Sequence, residues 1–449
     1  MPSDRLDEVR ESAVPKLQAL VRLPTVSDRD PAKVDTAVFD RLLDVLREAF
    51  PLVHERLELT RVSTHGLLFH WPGRSSERPV VLMAHLDVVP VDETAPWQHP
   101  AFDAVVVDGA VWGRGTLDDK GCVVAICEAV EGLLRRDFSP AQDVWLSFGC
   151  NEEVGGDSAP LAVAELQRRG VRPWFVLDEG GAVAAQAFPG VEPPLAVVGV
   201  TEKGTTSLQL VVEGRGGHAS TPAPMGPTAR IARAVMRLEK APFAPRTPAP
   251  TVEMLQRIAP HAPRPLRPVL SRAARLGPAL SRLLIAAGPE AAAMTRTTVA
   301  VTTLSGSPAL NVIASRATAG VNLRVMVGDT VAGAIAHVRK AIRDDTVTVE
   351  VVEQNEPSPV SPVDDEAFRL IEATIGELFP EAVPTPYVMM GATDSRFFTD
   401  LCERVYRYAP FRMSKAQRQS IHSYDEHLGV DALAEGVLWY ERLLERLPA

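Results

Sequence analysis

From Pro79 onward the chain alternates continuous apolar runs with helical patterns. The runs "PVVLMAHLDVV", "DVWLSFGC" and "WFVLDEGG" are apolar at nearly every position rather than at every second one, as strands covered on both faces must be. Between the first two, "FDAVVVDGAVWGRG" carries Asp108-Gly109, a hairpin signal, and "GCVVAICEAVEGLLRR" repeats its apolar residues at helical spacing. "SAPLAVAELQRRG" is a second helix, ended by a glycine stop. The pattern predicts an α/β unit with a mostly parallel sheet and helices on both faces. Sites in such sheets form beyond the carboxyl ends of the strands.

Near Thr201 the character changes. "TTSLQLVVEGR" alternates like a half-exposed strand, "GPTARIARAVMRLEK" is helical, "TTVAVTTLSG" and "ATAGVNLRVMVG" are strands, and "TVAGAIAHVRKAIRD" and "TVTVEVVEQ" add a helix and a last strand. The order β-α-β-β-α-β is the ferredoxin-like split unit. It predicts a second domain at residues 201–356, inserted into a first domain made of residues 1–200 and 357–449, with the proline-rich "NEPSPVSPVDD" as the link back. Residues 241–296 do not fit that unit: they hold eight arginines against two glutamates, and leucines at helical spacing. They read as an insertion in the second domain, either a helical cap with a solvated arginine face or a lid whose leucines touch an apolar part of a substrate.

Composition narrows the function classes. A chain of 449 residues is too long for one compact domain, and a net charge of -10 argues against a nucleic-acid partner. The first residues, "MPSDRLDEVRESAVPKLQALVRL", read as an amphipathic helix interrupted by charges rather than a targeting segment. No run approaches the ~20 apolar residues of a membrane span, so no membrane attachment is expected. Cys122, Cys127, Cys150 and Cys402 form no CxxC pair and no disulfide framework. A reducing cytoplasm is the expected setting.

The strand ends carry the chemistry. "MAHLDVV" places His85 and Asp87 two apart, on one face of a strand. "GRGTLDDKG" supplies Asp118 and Asp119 before a helix, "CNEEVGG" supplies Glu152 and Glu153, and "LDEGG" supplies Asp178 and Glu179. From His85 to Asp118 to Glu153 to Glu179 the intervals are 33, 35 and 26 residues, each about one βαβ repeat, so successive repeats bring the groups to one rim. A rim of mutually repelling carboxylates needs a cation, and a mixed His/Asp/Glu set suits zinc or a similar transition metal.

Together "MAHLDVVP", "WGRGTLDDKG", "NEEVGG", "LDEGG", "GGHAS" and "IHSYDEHLGV" resemble the M20 family of di-zinc metallopeptidases, over nearly the whole chain. The resemblance is closest to the branch of carboxypeptidase S and the N-acyl-amino-acid hydrolases. It implies a catalytic domain and an inserted lid/dimerisation domain. It also implies two Zn2+ per subunit, with Co2+ or Mn2+ as substitutes: His85, Asp118 and Glu179 on one, Asp118 as the bridge, Glu153 and His422 on the other. Asp178 is the alternative to Glu179. Asp87 would support His85, and Glu152 would act as general base towards a metal-activated water. His218 resembles the histidine that, in dimeric members, reaches into the partner's site, so a homodimer is implied. Arg324, Asn311 and Gly391 match positions that contact the substrate, Gly391 in a loop where backbone approaches it closely. For Asp394 and Arg396 a structural ion pair competes with substrate contact.

The last motif departs from the family pattern, with Ser423 and Asp425 in place of a glycine and an amide. The resulting expectation is hydrolysis of an amide bond in N-acyl amino acids or short peptides with a free carboxylate, the leucine-rich insertion favouring a hydrophobic acyl group. The rivals are a carnosinase-type dipeptidase and a non-catalytic metal-binding protein. Glu152 argues against the latter, since it is needed for proton transfer and not for holding metal.

Overall fold

The computed structural model describes residues 3–286 and 288–449. Its larger sheet has ten strands. At the centre Ser75–His85 runs parallel to Gln142–Gly149 on one side and to Phe175–Asp178 on the other, and Val405–Arg407 continues the parallel run. Side chains of Ser75–His85 alternate between two cores: Val80, Leu82 and Ala84 face one, Val81 and Met83 the other. Helices Ser3–Val21, Lys120–Arg135 and Val430–Glu445 cover the first face and Ser158–Arg168 the second, which is why these strands read as continuously apolar. The sheet departs from parallel at its flanks. Glu58–Val62 and Gly66–Trp71 form a hairpin on Gln142–Gly149, and Ala182–Ala184 lies antiparallel to Leu195–Glu202. A short connection between neighbouring strands permits no other direction.

The smaller sheet has the order Thr298–Ser305, Arg316–Val325, Gly204–Glu213, Thr348–Gln354, with every pairing antiparallel. Helices Pro227–Glu239 and Val331–Ile342 pack on one face, around Leu208, Leu210, Ile231, Leu238, Leu323 and Val338. That is the βαββαβ arrangement expected from the sequence. The chain crosses between the sheets twice, and the crossings lie side by side: Asn355 N donates to Thr205 O at 2.8 Å and Ser358 N to Glu202 O at 3.1 Å. A Cβ on Gly204 would sit 2.4 Å from Asn355 O, so only glycine allows this approach.

Of the two readings of residues 241–296, the structure matches the helical cap with a solvated arginine face and not the lid. Its helix Ala249–Ile258 and the short helices after it bury Met254, Leu255, Ile258, Leu270, Leu280 and Leu284 together with Val191 and Leu195 of the larger sheet's side. Val383 and Tyr387, on the strand parallel to Leu195–Glu202, pack against the same cluster. Arg257 pairs with Glu372 and Glu253, whereas Arg264, Arg267, Arg272, Arg275 and Arg282 lie exposed. The leucines therefore form a core of their own against the larger sheet. Leu255, fully buried, provides the check: Leu255→Ala leaves a cavity worth about 2–5 kcal/mol. The urea midpoint of the transition that includes the insertion is expected to fall accordingly; an unchanged midpoint would mean that the insertion does not pack as described.

Candidate metal centre

His85 ends its strand with the imidazole 2% exposed. Its Nδ1 lies 3.0 Å from the Asp87 carbonyl oxygen and 3.5 Å from Asp87 Oδ1, which leaves Nε2 to face Asp118 Oδ1 at 2.9 Å. The other Asp118 oxygen, Oδ2, lies 2.9 Å from His422 Nε2, and that nitrogen is also 3.1 Å from Glu153 Oε2. One carboxylate thus stands between two imidazoles. Among the described residues, two sets bring one donor atom from each member within 4.8 Å of one another: His85, Asp118 and Glu179, and Asp118, Glu153 and His422. Asp178 points elsewhere. It is 2% exposed, and its two oxygens accept from Glu179 N at 2.9 Å and Ser395 N at 2.8 Å. Of the two acids in "LDEGG", Glu179 is the one that faces the cluster.

Glu152 and Glu153 reach the same place because the strand stops at Gly149. Residues Glu152–Val154 form a single 3-10 turn, closed by Gly155 at φ +65°, so the two side chains escape the alternation of a strand. What holds the turn is Asp87. This wholly buried carboxylate accepts from Glu152 N on Oδ1 and from Glu153 N on Oδ2, each at 3.1 Å. It therefore braces the turn as well as His85, a role the sequence reading did not include.

A second buried acid that was not anticipated, Glu426, holds the other loops. Its Oε1 accepts from the amides of Gly115, Leu117 and Asp118 at 3.1, 2.8 and 3.1 Å, and its Oε2 meets Arg114 Nη1 at 2.5 Å. Arg114 Nη2 reaches on to Ser423 O at 2.6 Å. The loop carrying Asp118 and the loop carrying His422 are thereby one unit. His422 and Asp425 sit at φ +59° and +61°, left-handed positions that non-glycine residues hold only when their surroundings insist. The departure at Asp425 has a physical reason: its two oxygens accept Gln98 N and Gln98 Nε2, both at 2.8 Å, and an amide could accept only one of these.

Charge at the site is unevenly shared. Burial pushes the Glu152 carboxyl well above its ordinary range, with Asp394 and Glu153 adding to it against nearby His85. Burial, with Asp118 and Asp119 beside it, does the same to Glu179. Burial also raises Asp118, but bonds from His422 and His85 outweigh it and hold that carboxyl below the carboxylate range. The same bonds to Asp118 and Glu153 push His422 up to about 10. Without a metal, protons take the part of cations here. Glu153 Oε1 is buried with no hydrogen-bond partner; a carboxylate oxygen with no donor beside imidazole nitrogens and further carboxylates fits a divalent transition metal.

The remaining anticipated residues lie apart from this cluster. His218 and Asn311 meet on an exposed tip where Gly217–His218 pairs with Val312–Ile313, and His218 Nδ1 accepts from Ser220 N at 3.1 Å. Arg324, in the smaller sheet, donates to Thr205 Oγ1 at 3.0 Å. A Cβ on Gly391 would meet nothing within 4 Å, so the chain itself does not require glycine there. The Asp394–Arg396 ion pair is not formed: Arg396 Nη1 donates to Thr393 O at 2.9 Å and the guanidinium lies over Phe397, while Asp394 Oδ1 is buried without a partner. Lys203 is buried and donates to Arg296 O at 2.9 Å; burial, then Arg324 and Arg296, push its amine down to about 8.

The Arg114–Glu426 pair allows a direct test. Arg114→Leu would strand a buried carboxylate, a loss of about 3–5 kcal/mol, whereas Arg114→Leu with Glu426→Gln removes both charges while keeping an oxygen for the three amides and is expected to recover part of it. Chemical denaturation of the metal-free proteins reads the difference. Equal loss in both would show that the pair is not what holds the two loops.

Residues 81–446 match the model of peptidase family M20/M25/M40. A probable carboxypeptidase S-like protein of Dictyostelium discoideum is 34% identical over 412 residues, 91% of this chain and 79% of that one. The human N-fatty-acyl-amino acid synthase/hydrolase PM20D1 is 34% identical over 452 residues, 99% of this chain and 89% of that one. Among solved structures, human carnosine dipeptidase 1 superposes with a TM-score of 0.72 at 14% identity, covering 98% of this chain and 96% of that one, a likeness of fold. Motif order, the convergent strand ends and this coverage agree: the chain belongs to peptidase family M20/M25/M40 and is an amide hydrolase.

Proposed function

We propose that the protein hydrolyses N-acyl amino acids, or short peptides with a free carboxylate, using two zinc ions. His85, Asp118 and Glu179 would hold one ion, and Asp118, Glu153 and His422 the other. The observation that carries this reading is the pair of donor sets sharing Asp118, with half-buried Glu152 beside them and a member of neither. Zinc, when bound, supplies Lewis acidity and lowers the pKa of water. Glu152 takes the proton of the attacking water and returns it to the leaving amine, for which a carboxyl raised by burial is suited. Asp87 keeps Glu152 and Glu153 in register through their amides. Arg324, whose planar fork fits a carboxylate, would hold the substrate's carboxylate, Asn311, on the tip with His218, would contact the reacting group from the partner subunit, and the open space at Gly391 admits the substrate's chain.

The acyl preference no longer rests on the leucines of the insertion, which are spent on its own core. It rests on the relatives, of which the human one is named for N-fatty-acyl-amino acids. In this reading residues 1–200 and 357–449 form the catalytic domain and 201–356 the lid/dimerisation domain; the separate apolar cores of the two sheets support the division, while the insertion packs across it onto the larger sheet. The exposed tip carrying His218 and Asn311, with Leu310 beside it fully exposed, supports a homodimer in which His218 enters the partner's site. Four free, buried cysteines support a reducing compartment such as the cytoplasm.

Metal-loaded protein tested on N-acyl amino acids of increasing acyl length and on unacylated dipeptides should prefer the acylated substrates; clear preference for the dipeptides would replace the substrate class. Glu152→Gln is expected to retain two metal equivalents by elemental analysis while turnover falls by about 100-fold or more. Undiminished turnover would remove Glu152 as the base. Mixing Glu152→Gln with His218→Ala protein should restore activity if the site is shared, and no recovery would argue for self-contained subunits.

A further inference from the structure

We propose that Ser27 is a positioning residue for the proton-transferring turn, and that the segment from Leu20 to Ser27 is built into the site as its outer brace. The inference rests on the roles given above to Glu152 and Glu153.

The segment is fastened to the core at three levels. Lys120 Nζ, on a side chain 1% exposed, donates to Leu20 O at 3.1 Å and Leu23 O at 2.6 Å. Thr25 Oγ1 donates to Leu86 O at 2.7 Å, and Thr25 O accepts from Val88 N at 3.0 Å. Ser27 Oγ donates to Asp87 Oδ2 at 2.6 Å, with both residues buried. Thr25 and Ser27 are two apart on an extended run, so both hydroxyls face the same side. That side is Leu86–Val88, the chain immediately after His85.

Asp87 is where this matters. Its Oδ1 serves Glu152 N at 3.1 Å and faces His85 Nδ1 at 3.5 Å, and its Oδ2 serves Glu153 N at 3.1 Å. Gripping two successive amides requires both carboxylate oxygens in one orientation, and the Cβ–Cγ torsion of an aspartate is broad. Among the described residues the Ser27 hydroxyl is the one donor to that carboxylate outside the site itself, and it makes the shorter of the two bonds to Oδ2. Without it Oδ2 keeps a single amide, and the carboxylate is free to turn towards His85. The base and a metal ligand would then lose their fixed relation together.

The test uses the full chain with Ser27→Ala, Ser27→Cys and Ser27→Thr. Cysteine matches the volume but donates weakly, and threonine keeps the hydroxyl. Zinc affinity is measured by competition with a chromophoric chelator, and kcat and KM on the best substrate of the panel above. For Ser27→Ala and Ser27→Cys, kcat is expected to fall about 10–100-fold and the affinity for one of the two zinc ions about 10-fold. KM should stay within about 3-fold, and Ser27→Thr should restore both values. Wild-type zinc affinity and kcat in Ser27→Cys would overturn the proposal, and so would a loss that Ser27→Thr shares. If the wild-type protein turns over no substrate while Ser27→Cys still weakens one zinc site, the hydrolase reading fails and the positioning role stands.

Discussion

Seven charged or ionisable groups, His85, Asp118, Glu152, Glu153, Asp178, Glu179 and His422, crowd one edge of the larger sheet, most of them largely out of water. In so weak a dielectric, carboxylates repel strongly unless each finds positive charge. The fold answers in two ways. Asp87, Asp178 and Glu426 are filled by backbone amides, and each ties together chain segments that meet at the site. Glu152, Glu153 and Glu179 have no such filling for their side chains, and Glu153 Oε1 is left with no partner. The first group is scaffold and the second is appetite for a cation, and the chemistry depends on the scaffold acids being wholly satisfied so that the others are not.

This division explains what the sequence could and could not disclose. Parallel strands repeat at a nearly constant interval, so acids at successive strand ends must meet, and His85, Glu153 and Glu179 were legible for that reason; Asp118 instead follows Ala110–Trp112, a strand of a separate antiparallel sheet, and reaches the rim just ahead of the helix Lys120–Arg135 that joins two of the parallel strands. Which of two adjacent acids faces the centre was not legible for Asp178 and Glu179, because it is decided by Ser395 N, more than two hundred residues away. The double duty of Asp87 and the whole role of Glu426 were hidden for the same cause: their partners are amides, which carry no sequence signature. The insertion stayed open between a cap and a lid for a different reason. Helical spacing of leucines says that a face is buried, not which surface covers it, and the covering surface was Leu195 and its neighbours rather than a substrate. The ferredoxin-like unit was legible because its strands alternate, with one face packed and one polar.

The polar links around the junction between the sheets are continuous with the site. Glu202, 1% exposed, accepts from Arg407 Nε at 2.7 Å and from Thr393 Oγ1 at 2.6 Å. Thr393 shares its loop with Ser395, the residue that fixes Asp178. A buried chain of hydrogen bonds therefore runs from the end of Leu195–Glu202, where the polypeptide leaves the larger sheet, to the strand end that carries Glu179. Such a chain is costly to break at any one link, because each loss leaves a buried group unpaired.

The paired crossings at Gly204 and Asn355 have a mechanical meaning. Two connections set at one place would by themselves leave the sheets free to turn, and the insertion supplies a second anchorage, its helix Ala249–Ile258 packed on Leu195 and Val383 and its Arg257 paired with Glu372. Arg324 is paired with Thr205 directly beside the crossings. Gly204–Glu213, ten residues of strand, about 30 Å long, leads from there out to the tip with His218. The arginine and the histidine therefore stand at opposite ends of one strand, one at the anchored end and one at the exposed end.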